Sequence, residues 1–166
     1  MNIAKKSNAC FDFSQLARKN FAANEFWDSE TAAANKIDNT PPNTEEMFNA
    51  MMLLADKCQE LRDFINEKIN ITRGFSCEEV NKLVGGAKNS QHTRGEAADL
   101  TFEKSTPLEI AKKIRDKKIT VDQCIVEKKT SKKTGKISRW LHVSIKASNN
   151  RNEFLIGNEG VYSKMS

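Results

Sequence analysis

Residues 88–100 read KNSQHTRGEAADL, a polar segment that runs directly into an apolar one. It contains His92, one of the two histidines in the protein, and Asp99 at the start of the apolar part. Gly95 stands between them and allows a tight backbone bend, which can bring the two side chains together. This segment is therefore the first candidate for a functional site, and the other predictions are built around it.

The second histidine, His142, lies in WLHVS, residues 140–144, which alternates like a β-strand. Two histidines and one carboxylate form the usual protein ligands of a catalytic zinc ion, with the fourth position left to water. The residue types alone leave another interpretation open. In that interpretation His92 is a surface histidine, Asp99 is a structural hydrogen-bond acceptor and His142 is a core residue.

Hydrophobic periodicity predicts α-helices in the middle of the chain and β-strands mainly in its second half. The clearest helix is expected to be capped by Asn43 and carries apolar residues at helical spacing through Ile65. Residues 76–79 have the pattern of a capping box and predict a short second helix, and Pro107 begins a third. Helices packed on a small antiparallel sheet give an α+β fold.

The length of 166 residues fits one domain with a hydrophobic core, so we expect a single domain over residues 1–166. Residues 1–42 supply apolar anchors without a sustained period, and we expect them to wrap a core formed by residues 43–166. A short edge strand is expected near the end, within residues 154–162.

Two β-rich runs, residues 119–127 and 137–146, flank a turn of lysine, threonine and glycine and predict a β-hairpin. If the turn centres on its Lys-Thr pair, Glu127 lies opposite Trp140. With the two-residue alternation of a strand, Glu127 then shares a face with His142. A register slip of one residue would turn Glu127 to the other face.

The composition limits which binding partners and which cellular compartment we expect. The formal net charge is +5, and lysines cluster in the hairpin turn, where solvation explains them more simply than an anionic partner does. The four cysteines are widely spaced, which favours reduced thiols over a disulfide framework. No apolar run has the length of a membrane span, so no membrane insertion is expected. The start lacks the hydrophobic region of a signal peptide, so we expect synthesis in the cytoplasm.

The pattern Ser-x-His-x-x-Gly-x-Ala-x-Asp of residues 90–99, followed by Trp-x-His at residues 140–142, resembles peptidase family M15. This is the zinc D-Ala-D-Ala carboxypeptidase and endopeptidase family of peptidoglycan hydrolases, and the resemblance is closest to its small, endolysin-like members from phages and prophages. Other segments that resemble family landmarks are residues 37–42, 71–75, 81, 85–86, 122–125 and 150–153. The resemblance implies a Hedgehog/DD-peptidase-like α+β fold with Zn²⁺ bound by His92, Asp99 and His142.

The resemblance also implies roles around the metal. Many members carry an acidic residue three positions before the last histidine, but this chain has Arg139 there. Phage-type members often carry a glutamate at the end of the preceding strand, and Glu127 is therefore the predicted catalytic base. The family's arginine for a substrate carboxylate is replaced by Ser76, for which an N-cap role is expected, and Arg73 is the candidate to reach the same space. The predicted substrate-binding residues are Arg73, Ser90 and Trp140.

Two of these assignments have alternatives. Ser90 can equally stabilise its own loop by a turn hydrogen bond, and Trp140 can belong to the core rather than to the wall of a cleft. If Glu127 is not the base, Glu103 and Asp122 are the other carboxylates to consider.

The function implied by the resemblance is that of a zinc-dependent peptidase cleaving a stem or cross-link peptide bond of bacterial peptidoglycan. Either an endolysin-like endopeptidase or a D-Ala-D-Ala carboxypeptidase fits. Peptidoglycan is the expected partner of a monomeric enzyme, reached after holin-type release or as part of a virion. One rival is a non-catalytic, zinc-containing cell-wall-binding or phage structural module of the same fold. A nucleic-acid-binding protein is the other; its affinity for DNA would fall steeply with salt, and no nucleic-acid partner is expected.

Overall fold

A computed structural model of the chain describes residues 10–166, so the first nine residues of the predicted wrapping segment lie outside it. The helices are α1 (Glu30–Asn35), α2 (Glu45–Ile65), α3 (Glu78–Leu83) and α4 (Pro107–Asp116). The strands are β1 (Ile69–Arg73), β2 (Ala97–Phe102), β3 (Gln123–Thr130), β4 (Ile137–Ser144), β5 (Glu153–Asn158) and β6 (Val161–Lys164). Short 3₁₀ turns occur at Phe13–Leu16, Ala23–Phe26 and Gln91–Arg94. The predicted α+β fold is confirmed.

The strands form one sheet in the order β1-β2-β4-β3-β5-β6. Neighbouring strands are antiparallel except β3 and β5, which run parallel. The predicted antiparallel sheet is confirmed for all of these pairs but one, and the expectation of one short edge strand at the chain end is wrong. The chain end forms two strands, and the first of them is parallel to its neighbour.

The parallel pairing follows from how the chain returns after β4. Asn152 donates its backbone N–H to the carbonyl of Val121 and accepts the N–H of Val121 with its side chain. These bonds hold the chain before β5 at the end of the sheet where β3 begins, and the first residues of the two strands, Gln123 and Glu153, are paired. From that point β5 can only run in the same direction as β3.

Helix α2 is the main scaffold against the sheet. Its residues Met51, Leu54 and Leu61 are fully buried and belong to the same core as Leu100 of β2 and Leu141 of β4. Burial of such side chains contributes roughly 1.5–3 kcal/mol each, so this packing fixes the sheet on which the site residues stand. Within residues 10–166, no helix combines the length and the apolar character needed to cross a membrane.

The predicted cap of α2 is wrong by one residue. Thr44 is the N-cap, and its hydroxyl accepts the backbone N–H of Met47 at 3.2 Å. Asn43 instead forms two hydrogen bonds of 2.9 Å with the backbone of Phe11, one to its N–H and one to its carbonyl. The asparagine therefore fastens the N-terminal segment to the start of the helix.

The predicted N-cap role of Ser76 is also wrong. Helix α3 has Cys77 at its N-cap position and no side-chain cap. Ser76 is buried, and its hydroxyl accepts a hydrogen bond of 3.0 Å from Nε of Arg73. A charged donor close by competes successfully for the serine oxygen, because bonds from ionised donors are stronger than neutral ones.

All four cysteines are free thiols, and two of them are buried as the sequence predicts. Burial raises the pKa of Cys58 and of Cys124 to about 12, so both remain protonated at neutral pH. A thiol in that state is neither a good nucleophile nor a ready metal ligand. These residues act as small apolar side chains of the core.

Asp122 joins the beginning of β3 to the segment that leads into β5. Its side chain is fully buried and accepts hydrogen bonds from Arg151 and Gln91, and Lys146 Nζ lies 3.0 Å from it. Burial by itself would raise the pKa of Asp122, but the hydrogen bonds from Arg151 and Lys146 outweigh it and hold the pKa well below its usual range. Asp122 is therefore ionised in the folded protein, and both of its carboxylate oxygens already accept structural hydrogen bonds.

Asp122→Asn should lower the free energy of unfolding by about 1.5–3 kcal/mol at neutral pH, because the buried carboxylate accepts hydrogen bonds from the charged Arg151 that a neutral amide cannot replace. The folded-state pKa of Asp122 is depressed, so its stabilisation is complete above the unfolded value of about 3.9 and disappears as the pH falls through the folded value. The difference between wild type and variant should therefore shrink in acid. Chemical denaturation at several pH values measures it.

The matched control is Asp116→Asn, which removes an exposed carboxylate paired only with the neighbouring Arg115. Exposed pairs contribute little, so this variant should stay within about 0.5 kcal/mol of wild type. Equal stability changes in the two variants would contradict the structural role of Asp122.

Candidate metal centre and active-site cleft

The central strands of the sheet place three site residues side by side. Asp99 of β2 lies opposite His142 of β4, and on its other side it lies opposite Arg73 of β1. Directly paired residues project to the same face of a sheet, so these three side chains point the same way. The antiparallel pairing alone thus brings residues 73, 99 and 142 together.

His92 arrives from the 3₁₀ turn that precedes β2. The turn ends at Gly95, whose φ of 68° lies in the left-handed region. A Cβ atom at this position would lie 2.6 Å from Cγ of Met51 and 2.8 Å from Sδ of Met47. Both the backbone conformation and the close approach of α2 therefore require glycine here. The bend predicted from the sequence is present.

The three predicted metal ligands converge at the sheet face. His92 Nε2 lies 3.2 Å from Asp99 Oδ1, His142 Nδ1 lies 3.1 Å from the same oxygen, and the two nitrogens are 3.2 Å apart. Ligands about 2.0–2.1 Å from a tetrahedral zinc ion are about 3.3 Å from one another. The three atoms therefore have nearly the spacing of one face of a zinc coordination tetrahedron.

The hydrogen bond of His92 fixes which of its nitrogens is available. Nδ1 lies 2.8 Å from the carbonyl oxygen of Gly74 and donates its proton there, which leaves the lone pair on Nε2, the atom that faces Asp99. A ring N–H donated to a backbone carbonyl is a common way to orient a metal-binding histidine. The structure thus presents the correct tautomer of His92 for a metal.

The charge states also suit a cation. Burial lowers the pKa of His92, so the imidazole is neutral at neutral pH. Burial would raise the pKa of Asp99, but the neighbouring side chains of His92 and His142 outweigh it and hold the pKa below the ordinary value, so the carboxyl is ionised. Zinc requires neutral imidazole nitrogens and a charged carboxylate, so the residues present fit this ion.

A second layer of contacts supports His142, and sequence reasoning missed it. Oε1 of Gln91 lies 3.5 Å from Nε2 of His142, and the amide of Gln91 donates to Asp122 at 2.8 Å. Arg151 and Lys146 hold Asp122 in turn. The signal in the sequence was weak, since Gln91 is an unremarkable polar residue beside His92. Only the fold shows that it is buried between two functional groups.

The three residues lie at the floor of a cleft of about 880 Å³. Other residues that line it include Arg73, Ser90, Glu127, Trp140 and Tyr162. Each predicted substrate-binding residue therefore borders the cleft, as does the predicted base. Neither Glu103 nor Asp122 lines the cleft, and Asp122 is fully buried.

The hairpin of β3 and β4 has the register expected from its sequence. Glu127 is paired with Trp140, and Ile125 is paired with His142, so Glu127 shares the cleft face with His142. Glu127 is half-buried, and burial raises the pKa of its carboxyl group above the ordinary value. The hydroxyl of Tyr162 donates to Glu127 Oε1 at 3.2 Å.

Arg73 lines the cleft and has neutral hydrogen-bond partners. Its Nε donates to the hydroxyl of Ser76 at 3.0 Å, and its Nη2 donates to Oδ1 of Asn81 at 2.7 Å. Burial lowers the pKa of the guanidinium group, and the charge of Asp99 opposes that effect. Among residues 10–166, no carboxylate forms an ion pair with Arg73.

Ser90 stabilises its own turn and also lies at the cleft. Its hydroxyl accepts the backbone N–H of His92 at 3.3 Å, so it stabilises the turn that carries this histidine. The residue also lines the cleft. Trp140 is half-buried and borders the same cleft, so it is a wall residue rather than a member of the fully buried core.

Comparison with known proteins adds the last observation. A family model described as Peptidase M15 matches residues 19–144, which include the three converging residues and Glu127. No curated protein matches the chain. Strands β5 and β6 lie beyond the matched residues, although both contribute to the cleft. The family model covers most of the chain, and the protein therefore belongs to the peptidase M15 family.

Proposed function

We propose that the protein is a zinc-dependent peptidase that cleaves a peptide bond in the stem or cross-link of bacterial peptidoglycan. The observation that carries this proposal is the convergence of His92 Nε2, Asp99 Oδ1 and His142 Nδ1, 3.1–3.2 Å apart, at the floor of a cleft. Membership of the peptidase M15 family supports the class of reaction and the type of substrate.

His92, Asp99 and His142 would hold the zinc ion. When bound there, zinc would supply Lewis-acid polarisation of the scissile carbonyl and would lower the pKa of a water molecule. The protein contributes a rigid and correctly charged set of ligands, because two of them stand on paired strands and the third is oriented by Gly74. Little reorganisation is then needed when the metal binds.

Glu127 is the proposed general base. It would accept one proton from the attacking water and give it to the departing amine, so that one water molecule is added across the peptide bond. Its half-buried position and raised pKa suit a group that both accepts and donates a proton. Asp122 is a poor rival because its carboxylate is already bonded to Arg151 and Gln91. Glu103 is exposed and outside the cleft wall.

Arg73 is the proposed anchor for a carboxylate of the peptide. The guanidinium of Arg73 lines the cleft, and within residues 10–166 it donates hydrogen bonds to neutral groups rather than to a carboxylate. Arginine binds carboxylates strongly because it can donate two parallel hydrogen bonds. Ser90 and Trp140 would border the same substrate-binding space.

The cellular setting proposed here follows from the substrate. Peptidoglycan lies outside the cytoplasmic membrane, so the enzyme would act after holin-type release or as part of a virion. The resemblance to small phage-type members supports an endolysin-like role. We further propose that the protein acts as a monomer, since one chain supplies all three metal ligands and the proposed base.

We expect about one equivalent of zinc per chain after reconstitution, measured by elemental analysis. His92→Ala and His142→Ala should abolish binding. Gln91→Ala should weaken zinc affinity roughly ten- to a hundredfold, because loss of an outer-shell partner frees the imidazole of His142. Competition with a chelator measures the affinity.

The control for Gln91 is Gln123→Ala, since that glutamine is half-buried and bonds to Glu153 rather than to a predicted ligand. Its zinc affinity should equal that of wild type. A protein that retains no zinc after reconstitution would refute the proposed metal centre.

Glu127→Gln should bind zinc and peptidoglycan normally, while turnover falls about a hundred- to ten-thousandfold. The amide keeps the shape of the side chain but cannot accept the proton. Release of new amino or carboxyl termini from purified peptidoglycan measures turnover.

Glu103→Gln serves as the control and should keep full activity, because that residue lies outside the cleft wall. Near-normal turnover of Glu127→Gln would show that another group is the base. A wild-type protein that binds peptidoglycan without cleaving it would instead favour the non-catalytic binding module.

Arg73→Gln should reduce kcat/KM about ten- to a hundredfold on a peptide with a free C-terminal carboxylate, which is the scale of a charged hydrogen bond. The same peptide with an amidated C-terminus should lose little. Arg94→Gln is the control, since Arg94 pairs with Glu96 and is not a cleft residue. Equal losses on both peptides would rule out carboxylate recognition by Arg73.

A further inference from the structure

A row of four directly paired residues crosses the outer half of the sheet. Trp140 of β4 is paired with Glu127 of β3, Glu127 with Gly157 of β5, and Gly157 with Tyr162 of β6. Paired residues on neighbouring strands share a face, so all four positions belong to the face that forms the cleft. The row therefore connects the proposed base to the edge strand through a residue without a side chain.

Gly157 leaves the space in which Glu127 and Tyr162 meet. A Cβ atom at this position would lie 2.6 Å from Oε2 of Glu127 and 2.9 Å from Cε1 of Tyr162. Glycine inside a strand normally weakens it, and its presence often marks a close approach by another group. Here the absent side chain lets the tyrosine ring reach across one strand toward the carboxylate.

The contact made across that space is polar. The Tyr162 hydroxyl donates to Oε1 of Glu127 at 3.2 Å, although the tyrosine as a whole is 52% exposed on the edge strand. Core packing therefore does not account for the position of the ring. Both Gly157 and Tyr162 lie beyond the residues matched by the family model, so family membership does not account for it either.

We propose that Tyr162 is a positioning residue whose hydroxyl holds the carboxylate of Glu127 in the orientation that proton transfer requires, in the space left by Gly157. The inference rests on the proposed role of Glu127 as the base. The glutamate side chain has several rotatable bonds, and a fixed donor at Oε1 restricts how the carboxylate can rotate. Positioning of this kind improves the rate because a small misplacement of a reacting group is costly.

The groups that act on Glu127 come from three strands. Burial is the largest influence and raises its pKa, the Tyr162 hydrogen bond lowers it, and the charge of Asp99 raises it. Lys129 stands two residues further along β3, on the same face. Removal of the tyrosine hydroxyl should therefore raise the pKa of Glu127 further, while the other groups remain in place.

The test compares Tyr162→Phe with wild-type holoenzyme. The variant keeps the ring and removes the hydroxyl, so kcat should fall roughly tenfold, with KM and zinc content unchanged. The acid limb of the rate profile should move to higher pH, because Glu127 must be deprotonated to act. The same shift should appear when the Glu127 carboxyl is titrated by ¹³C NMR, a measurement that needs no turnover.

Ser163→Ala is the matched control, since it removes a hydroxyl from the next residue of β6, which projects to the opposite face. This variant should match wild type in every measurement. Gly157→Ala provides a second variant whose new methyl group should displace the Glu127 carboxylate and lower kcat without affecting zinc content.

The outcomes separate this inference from the proposed function. If Glu127→Gln is inactive but Tyr162→Phe keeps the wild-type kcat and carboxyl titration, the role of Tyr162 is refuted and the role of Glu127 stands. If Glu127→Gln remains active, or wild type cleaves nothing, the proposed function fails. In that case the NMR titration still decides whether Tyr162 holds the carboxylate. In the Glu127→Gln background, Tyr162→Phe should add no further loss of activity.

Discussion

The pairing of β2 with β4 sets the distance between Asp99 and His142 through backbone hydrogen bonds, and the candidate metal centre depends on this constraint. A buried carboxylate is costly unless donors or cations surround it. Asp99 lies between two imidazole nitrogens at 3.1 and 3.2 Å, and a cation held by these three groups would meet that requirement. The spacing of the three groups is the spacing that a metal ion would use.

Both imidazoles are supported from outside the sheet face. His92 bonds to the carbonyl of Gly74, and Gly74 packs so closely on Phe26 that a Cβ would lie 2.1 Å from the oxygen of that residue. The N-terminal segment that carries the buried Phe26 therefore helps to fix the first histidine. His142 is supported through Gln91 by Asp122, which is in turn held by the loop before β5. Contacts from distant parts of the chain thus fix the orientations of both imidazole rings.

Local patterns in the sequence were sufficient to predict much of the site. The hairpin register is determined by adjacent strands and one turn, so Glu127 could be placed opposite Trp140 without the structure. The converging residues carry a spacing that resembles a known family, and the fold brings them together as expected. The roles of Glu127 and of the substrate-binding residues remain predictions.

Features that depend on non-local contacts were not predictable. The parallel pairing of β3 with β5 follows from the hydrogen bonds between Asn152 and Val121. Hydrophobic periodicity in the sequence does not predict such bonds. Ser76 and Asn43 have residue types that favour helix caps, but stronger tertiary partners use their side chains instead. The contact of Tyr162 with Glu127 requires a gap at position 157, and this gap becomes visible only when β3, β5 and β6 are paired.

The outer strands β5 and β6 contribute a wall of the cleft but none of the three candidate metal ligands, and they lie at the edge of the sheet. Substitutions there would reshape one wall of the cleft while the three converging residues are left intact, so this edge is the place where the cleft can change without loss of the candidate metal centre.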